Sequence, residues 1–350
     1  MKPGAGLKII EGQYLQDVLA QPAALSATLD WLRNPGRWEE VRAQALSRSW
    51  NRIVLTGMGS SYHSLQPLYW SLVAGGHNVM LAETSELIHY GAALCDERTL
   101  IVAVSQSGAS AETVRLLDSN LRSMVLGVTN TANSPLARRA ELALLVQAGN
   151  EFSVSCKTYV GGLLCLQWLG CIFSGAGEAA SLQRLEPAAG LAAQYLQHWR
   201  AHTEALSEPL RGKRHLFLAG RGDSLAAVAT GALIIKESAR FHAEGMSSAA
   251  LRHGPLEMLQ DDVLTAVFSG PERTQALNRQ LVGELLARGQ PCLEIGSESP
   301  TSALRIPECD PILRPLVEIL PVQIMSLALA ALAGREAGRF EHTSKITDVE

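Results

Sequence analysis

The stretch Ile101–Val114, IVAVSQSGASAETV, joins a short apolar run to a cluster of hydroxyl and amide side chains. The apolar run predicts a buried strand, and the residues after the cluster predict a helix. A strand that ends in polar residues and leads into a helix is typical of parallel α/β sheets, where ligands bind beyond the carboxyl ends of the strands. We therefore expect a ligand site at the cluster, which contains Ser105, Gln106, Ser107 and Ser110.

The chain contains a second copy of this arrangement. The segments RIVLTGMGSSYHSLQPLYWSLV and HLFLAGRGDSLAAVATGALIIKESA both read as a strand, a Gly-x-Gly turn and a helix. Their first glycines are Gly57 and Gly220, and the serines near the end of the next strand are Ser107 and Ser269. The sequence distance between the two glycines and that between the two serines differ by a single residue, so the sequence predicts an internal duplication of an α/β unit.

The composition is that of a globular protein with large buried helices. The chain has 350 residues, of which 47% are apolar and 18% charged, with a net charge of −4. This balance argues against nucleic acid or an anionic membrane as the main partner. The N-terminal MKPGAGLKIIEG lacks the apolar core of a signal peptide, and the six cysteines show no C-x-x-C pair or metal-ligand spacing. We expect a cytoplasmic protein without a metal or cofactor.

Short apolar runs that alternate with helical stretches predict parallel sheets with helices on both faces. The apolar segments VGGLLCLQWLGCIF and ILPVQIMSLALAALAG are expected to be buried helices rather than membrane spans. The predicted organisation is a helical arm, a first α/β domain, a linker helix, a second α/β domain and a tail, over residues 1–50, 51–180, 181–210, 211–334 and 335–350.

A phosphorylated small molecule is the ligand that the two polar loops favour. Both Gly57–Ser61 and Ser105–Ser110 follow a strand and open a helix, where unpaired N–H groups and the helix dipole attract an anion. Serine hydroxyls add hydrogen-bond donors without adding charge. The alternative is that the serines are ordinary N-caps, but one cap needs one such residue and not a cluster. Nucleotides fit less well, since the third glycine of the dinucleotide fingerprint and a P-loop are both absent.

The chain resembles the sugar isomerase (SIS) domain family in three segments. They are GMGSSY, SQSGASAET and GRGDSLAAVATGALIIKESARFHAEGMSSAALRHGPLEML. The likeness is greatest to the isomerase half of glucosamine-6-phosphate synthase and its glutaminase-free relatives. These relatives include phosphosugar isomerases, amino-sugar-phosphate deaminases and fructoselysine-6-phosphate deglycases. The resemblance implies an α/β fold of two SIS domains, each a parallel sheet flanked by helices in three layers.

The resemblance also implies which residues bind the substrate. The second copy, VFSGPERT, has lost the hydroxyl cluster, so the first domain is expected to bind the phosphosugar while the second supplies catalytic residues. The residues expected to contact the sugar or its phosphate are Gly59, Ser60, Ser61, Ser105, Gln106, Ser107, Ser110 and Val154.

Three further residues match family positions with chemical roles. Glu237, in IIKESA, matches the carboxylate that moves a proton between C1 and C2. His253, in LRHGPL, matches the histidine linked to ring opening, supplied across a homodimer interface. Lys345, in SKITDVE, matches the lysine that meets the open-chain carbonyl, where it could form an imine or hold the oxyanion. Each also has an ordinary explanation: a solvated helix residue, a turn residue and an exposed residue of a terminal tail.

Departures from the family pattern limit the reaction that can be predicted. Ile234 replaces a lysine one turn before Glu237, Ala109 replaces an acidic residue, and SVSCKTYV is one residue shorter than usual. No glutaminase domain precedes the first unit, which argues against glucosamine-6-phosphate synthase itself. We predict an isomerase or isomerising deaminase that acts on a sugar 6-phosphate or amino-sugar 6-phosphate. The alternatives are a fructosamine-6-phosphate deglycase and a non-catalytic sugar-phosphate sensor.

Overall fold

The computed structural model describes residues 7–34, 36–47, 50–119, 122–342 and 344–345. Over these residues the chain alternates strands and helices and forms two parallel sheets. Contacts within the chain define two units with one sheet each. The first-sheet unit comprises the described residues within Gln21–Glu151, Cys156–Ala189 and Ser344–Glu350, and the second-sheet unit comprises those within Met1–Ala20, Phe152–Ser155 and Gly190–Thr343.

A helical segment precedes the first sheet. Its helices are α1 (Gln13–Leu19), α2 (Gln21–Leu32) and α3 (Arg37–Leu46). The two units divide this segment, because α1 belongs to the second-sheet unit while α2 and α3 belong to the first-sheet unit. Within the second-sheet unit, the Tyr14 hydroxyl on α1 shares a 3.1 Å hydrogen bond with Ser326 Oγ. The predicted domain limits stay a prediction.

The first sheet has the strand order β2-β1-β3-β4-β5, and its neighbouring strands are all parallel. Its elements are β1 (Arg52–Gly57), α4 (Gly59–Ser64), α5 (Gln66–Ala74), β2 (Val79–Glu83), α6 (Thr84–Tyr90), β3 (Thr99–Val104), α7 (Ala111–Asp118), β4 (Met124–Thr129), α8 (Pro135–Arg139), β5 (Leu142–Leu145) and α9 (Lys157–Phe173). Val54 and Ile101 pack with α6 and α7 on one face. Leu55 and Val102 alternate with them and are also fully buried, so both faces of the sheet are covered.

Three helices occupy the region predicted as a single linker helix. They are α10 (Glu178–Leu185), α11 (Ala188–Leu196) and α12 (Trp199–Leu210). Pro187 lies in the break between α10 and α11. Because proline has no backbone N–H, it cannot continue the hydrogen-bond ladder of α10 into α11.

The second sheet has the strand order β7-β6-β8-β9 and is also parallel. Its elements are β6 (His215–Gly220), α13 (Leu225–Ala239), β7 (His242–Ser247), α14 (Ser248–Arg252), β8 (Val263–Phe268), α15 (Glu272–Ala287), β9 (Cys292–Ile295) and α16 (Arg314–Leu332). β6 ends at Gly220 as β1 ends at Gly57, so the predicted α/β fold with two parallel sheets is confirmed. Since β3 ends at Val104 and β8 at Phe268, the structural counterpart of Ser269 is Ser105 rather than Ser107.

In the described part of the chain, one helical stretch is long and apolar enough to cross a membrane. It covers Pro311–Leu332, with a mean hydropathy of 1.8, and is longer than the apolar run noted in the sequence. Of the most apolar 18-residue part of this stretch, 89% is buried inside the structure. Buried core helices are often as long and as apolar as membrane-spanning helices. The length and composition of this helix are therefore weak evidence for a membrane span.

Candidate functional site

The two polar loops of the first half begin at adjacent strand ends. β1 and β3 are neighbours, with Gly57 opposite Val104 in the register. A Cβ added at Gly57 would lie 2.9 Å from the Val104 carbonyl oxygen, so the close approach requires glycine. Adjacent strands lie about 5 Å apart, which brings both loops to the same edge of the sheet. Gly59, Ser60 and Ser61 form the first turn of α4 there and are half-buried.

The loop after β3 is held in a compact turn by its own serines. Ser105 Oγ accepts a hydrogen bond from the Gly108 N–H at 3.1 Å, and Ser107 Oγ accepts from the Ala109 N–H at 3.2 Å. Because each oxygen accepts from the backbone, its O–H proton remains available for donation to a ligand. Gln106, whose carbonyl accepts from the Asn130 N–H at 3.0 Å, is half-buried like Ser107.

Gly108 fixes the shape of this loop. Its φ is +61°, a left-handed conformation that favours glycine. A Cβ at this position would also lie 2.2 Å from Ser134 Oγ and 2.8 Å from Thr129 Oγ1. No larger side chain fits without a shift of the loop, so glycine at position 108 is a structural requirement of the turn.

The ordinary N-cap explanation is not what the structure shows at Ser110. Ser110 has the extended N-cap conformation before α7, yet its side chain makes no capping hydrogen bond. Its hydroxyl lies 2.8 Å from Thr113 Oγ1 instead. Ser134, at the N-terminus of α8, does accept a capping bond from the Ala137 N–H. The N–H groups at the start of α7 therefore lack a side-chain cap and can bind an anion.

One feature of this edge opposes a bound anion. Glu112 lies in the first turn of α7, is only 7% exposed, and its Oε2 has no hydrogen-bond partner among the described residues. A carboxylate in the first turn stabilises the helix through the dipole, but it repels a phosphate. The hydroxyls of the loop thus have to outweigh a nearby negative charge.

A buried carboxylate that the sequence analysis missed holds one of the predicted catalytic residues. The side chain of Glu151 is fully buried, and its Oε2 lies 2.9 Å from Lys345 Nζ. The same oxygen accepts from Thr158 Oγ1 at 2.6 Å, and Oε1 accepts from the N–H groups of Cys156 and Thr158 at 2.9 and 3.0 Å. Glu151 therefore caps the N-terminus of α9 and binds the Lys345 ammonium, both within the first-sheet unit.

The other predicted residues lie in the second-sheet unit. Val154 is buried, 1% exposed, next to Ser153, whose hydroxyl donates to the Gly338 carbonyl at 2.5 Å. Glu237 is half-buried near the end of α13, unlike the exposed Lys236 beside it. His253 is exposed at the end of α14, and its ring makes no hydrogen bond within the described part of the chain. Their predicted roles stay predictions.

The start of the C-terminal tail is fixed at the end of the helix that carries Glu237. Arg240 follows α13 in a left-handed conformation, with φ +51°. Its guanidinium lies 2.5 Å from Glu341 Oε2 and donates to the Arg339 carbonyl at 3.0 Å. Hydrogen bonding to Arg240 lowers the pKa of Glu341, so the contact is ionic near neutral pH.

The described residues contain no group of three or more His, Cys, Asp or Glu side chains placed to hold a metal ion. The six cysteines are free thiols, and Cys156, Cys165 and Cys171 are buried in the apolar interior. Burial raises the pKa of Cys165 to about 12, which makes it an unreactive thiol.

Comparison with known proteins identifies the same repeat. The SIS domain model matches residues 47–169 and 209–333. The glutamine–fructose-6-phosphate aminotransferase (isomerizing) of Thermococcus kodakarensis is 29% identical over 354 residues, which cover 96% of this chain and 58% of the relative. The chain spans about three fifths of the length of the curated relatives it matches.

Two solved structures share the fold. The C-terminal domain of glucosamine-fructose-6-phosphate aminotransferase from Francisella tularensis superposes with a TM-score of 0.84 at 23% identity, covering 93% of this chain and 96% of that one. Glucosamine-6-phosphate deaminase from Thermotoga maritima superposes with a TM-score of 0.78 at 18% identity, covering 97% and 100%. At these identities the superpositions establish the architecture.

Proposed function

The chain belongs to the SIS domain family, and on that premise we propose that it is an enzyme acting on a sugar 6-phosphate or amino-sugar 6-phosphate. The reaction opens the sugar ring and transfers a proton between C1 and C2. The observation that carries this proposal is the pair of polar loops at the ends of β1 and β3, where O–H protons and uncapped helix N–H groups converge on one sheet edge. The names of the compared proteins refer to hexose 6-phosphates, which supports the same substrate class.

In this proposal Ser105, Gln106, Ser107 and Ser110 bind the phosphate, while Gly59, Ser60, Ser61 and Val154 lie along the sugar. The phosphate group does not take part in the reaction and serves to bind the substrate. Because the donors of the loop are uncharged, the product phosphate can dissociate after turnover. A site that bound it with several arginines would hold the product more tightly.

Glu237 is proposed as the single base that takes a proton from one carbon and returns it to the next through an enediol or enolamine. His253 assists ring opening, supplied by the partner in a homodimer. Lys345 meets the open-chain carbonyl. Its contact with Glu151 keeps the ammonium ordered before substrate arrives, which supports a positioned role rather than that of an exposed tail residue.

The protein is further proposed to be cytoplasmic. It is also proposed to need no cofactor, because proton transfer through an enediol requires only acid–base groups. Whether the product is an isomer, free ammonia or a released amino acid depends on the substituent at C1 or C2, while the early steps are shared.

The test is a substrate panel. The purified chain is incubated with fructose 6-phosphate, glucosamine 6-phosphate and a fructosamine 6-phosphate, and aldose, ketose, ammonia and free amine are measured. Isomer or ammonia supports the proposal. Release of an amino acid from the fructosamine 6-phosphate alone indicates a deglycase instead. Binding of sugar phosphates without any turnover indicates a sensor and contradicts the proposal.

A further inference from the structure

The second sheet carries its own cavity at the edge that corresponds to the phosphate loop. The cavity has a volume of about 210 Å³ and is lined by residues of the loops after β8 and β9 and by one face of α16. Ser269 and Gly270 follow β8 as Ser105 and Gln106 follow β3, and Gly270 has a left-handed φ of +72°. The second copy has therefore kept the serine that follows the strand and lost the rest of the serine cluster.

A buried carboxyl group lines this cavity. Glu318 lies on α16, is 1% exposed, and its Oε1 accepts from Ser224 Oγ at 2.9 Å. Its Oε2 is buried and has no hydrogen-bond partner among the described residues. A buried carboxyl oxygen without a partner costs free energy unless a ligand satisfies it. Burial raises the pKa of Glu318 to about 8, so the group is mostly protonated near neutral pH and can donate as well as accept.

The charges around the cavity do not suit a phosphate. Arg314, which lines the cavity one helical turn before Glu318, donates to the Gly270 carbonyl and forms no ion pair with Glu318 in the described residues. Glu308 brings a negative charge to the lining, and Glu272 brings another to the first turn of α15. Asp223, which acts on Glu318 electrostatically, is itself buried enough that its pKa is raised. Within the lining the positive charge of Arg314 is opposed by the negative charge of Glu308, so the site offers a dianion no net attraction.

We propose that this cavity is a second ligand site, which takes an uncharged polyhydroxylated compound of about hexose size and hydrogen-bonds one of its hydroxyls to Glu318 Oε2. The volume admits one monosaccharide and excludes a nucleotide, since ligand pockets for larger molecules run from about 300 Å³ upward. The site is formed by different residues from those of the phosphate loops, and its occupation does not depend on the proposed reaction.

The test uses D-glucose, D-glucitol and D-glucosamine as probes, titrated into the intact chain by calorimetry. Glucose or glucitol is expected to bind, and Glu318→Leu is expected to weaken that binding at least tenfold while folding normally, because it removes a buried unpartnered polar group. Ser297→Phe, at a half-exposed position of the lining, fills the cavity and is expected to abolish binding. Glu208→Gln, at an exposed position of α12 outside the lining, is the control and leaves affinity unchanged.

Four outcomes overturn the proposal. The first is that the neutral probes do not bind the intact chain, and the second is that neither Glu318→Leu nor Ser297→Phe changes their binding. Binding of glucosamine alone, with release of a proton, would assign the carboxyl to a cation. Neutral-sugar binding that falls with Ser107→Ala but not with Glu318→Leu would place the sugar at the first loop and leave this cavity without a ligand.

Discussion

Lys345 and Glu151 are 194 residues apart in sequence, and in the first-sheet unit their Nζ and Oε2 atoms lie 2.9 Å apart. Glu151 accepts three further hydrogen bonds and is fully buried, whereas the Lys345 side chain keeps 22% of its surface exposed. A partly exposed ammonium held by a fixed carboxylate can still reach a ligand. This pairing is the strongest structural support for a functional role of the tail.

Replacing Glu151 by glutamine is expected to release Lys345. The neutral amide loses the ionic contact and presents N–H groups to a cation, so we expect a loss of about 1 to 3 kcal/mol in stability and a fall in kcat of about tenfold or more. Lys345→Met should lower kcat similarly, and the double variant should be no worse than either single one, as a double-mutant cycle measures. Glu186→Gln, which removes an exposed carboxylate paired with Arg33, is the control. Additive losses in the cycle would show that the two residues act independently.

Glu237→Gln tests the proton shuttle. The amide keeps the size of the side chain but cannot take a proton from carbon, so kcat is expected to fall by about 10² to 10⁴ while the sugar phosphate still binds. Steady-state turnover and equilibrium binding of fructose 6-phosphate measure the two properties. Exchange of the C2 proton with solvent should fall in parallel. Normal turnover by this variant would remove Glu237 from the mechanism.

A comparison of Gly108→Ala with Gly149→Ala distinguishes the effect of side-chain crowding in the loop from that of backbone strain. Gly149 has nearly the same φ, +63°, but no atom lies within 4 Å of a Cβ added there. Both substitutions incur the left-handed strain, of about 1 kcal/mol, and only Gly108→Ala adds the contact with Ser134. We expect Gly108→Ala to lose more stability in urea unfolding and to weaken sugar-phosphate binding. Equal effects of the two variants would show that the loop adapts.

The carboxyl of Glu318 makes stability depend on pH. Its pKa is about 8 in the folded chain against a usual 4.5, so between these values the folded protein holds a proton that the unfolded chain has lost. Its contribution to stability is present below pH 4.5 and decreases as the pH rises towards 8, by at most about 1.4 kcal/mol per pH unit. Glu318→Gln removes this dependence, so its Tm advantage over the natural chain should grow from pH 5 to pH 8. A constant difference in Tm would contradict the buried, protonated state.

The sequence predicted the architecture because strand periodicity and Gly-x-Gly turns are local signals that occur twice. Gly57 and Gly220 do end equivalent strands. The pairing of Ser107 with Ser269 was wrong by two positions, since serines near a strand end cannot indicate which residue is the last one in the sheet. The break at Pro187 was missed because the alanine-rich residues after it favour helix strongly enough to suggest one continuous element.

The site was only partly predictable for a different reason. The loop serines are contiguous, so a sequence pattern found them. The Glu151–Lys345 contact joins residues with no local relationship, and its one available signal was an acidic residue shortly before a long apolar helix, a position typical of a cap. Glu318 also carried a signal, as a single carboxylate within the apolar run RPLVEILPVQ.

The central claim is that the loop hydroxyls after β3 bind the substrate phosphate. The most direct test is to measure the dissociation constant of fructose 6-phosphate for the natural chain and for the double variant Ser107→Ala, Ser110→Ala. Hydrogen bonds to a charged group are worth about 1.5 to 3 kcal/mol each, so the double variant should bind at least about tenfold more weakly. Ser119→Ala, at the opposite end of α7, should bind as the natural chain does. If the double variant and the natural chain bind fructose 6-phosphate equally well, the phosphate does not occupy this loop.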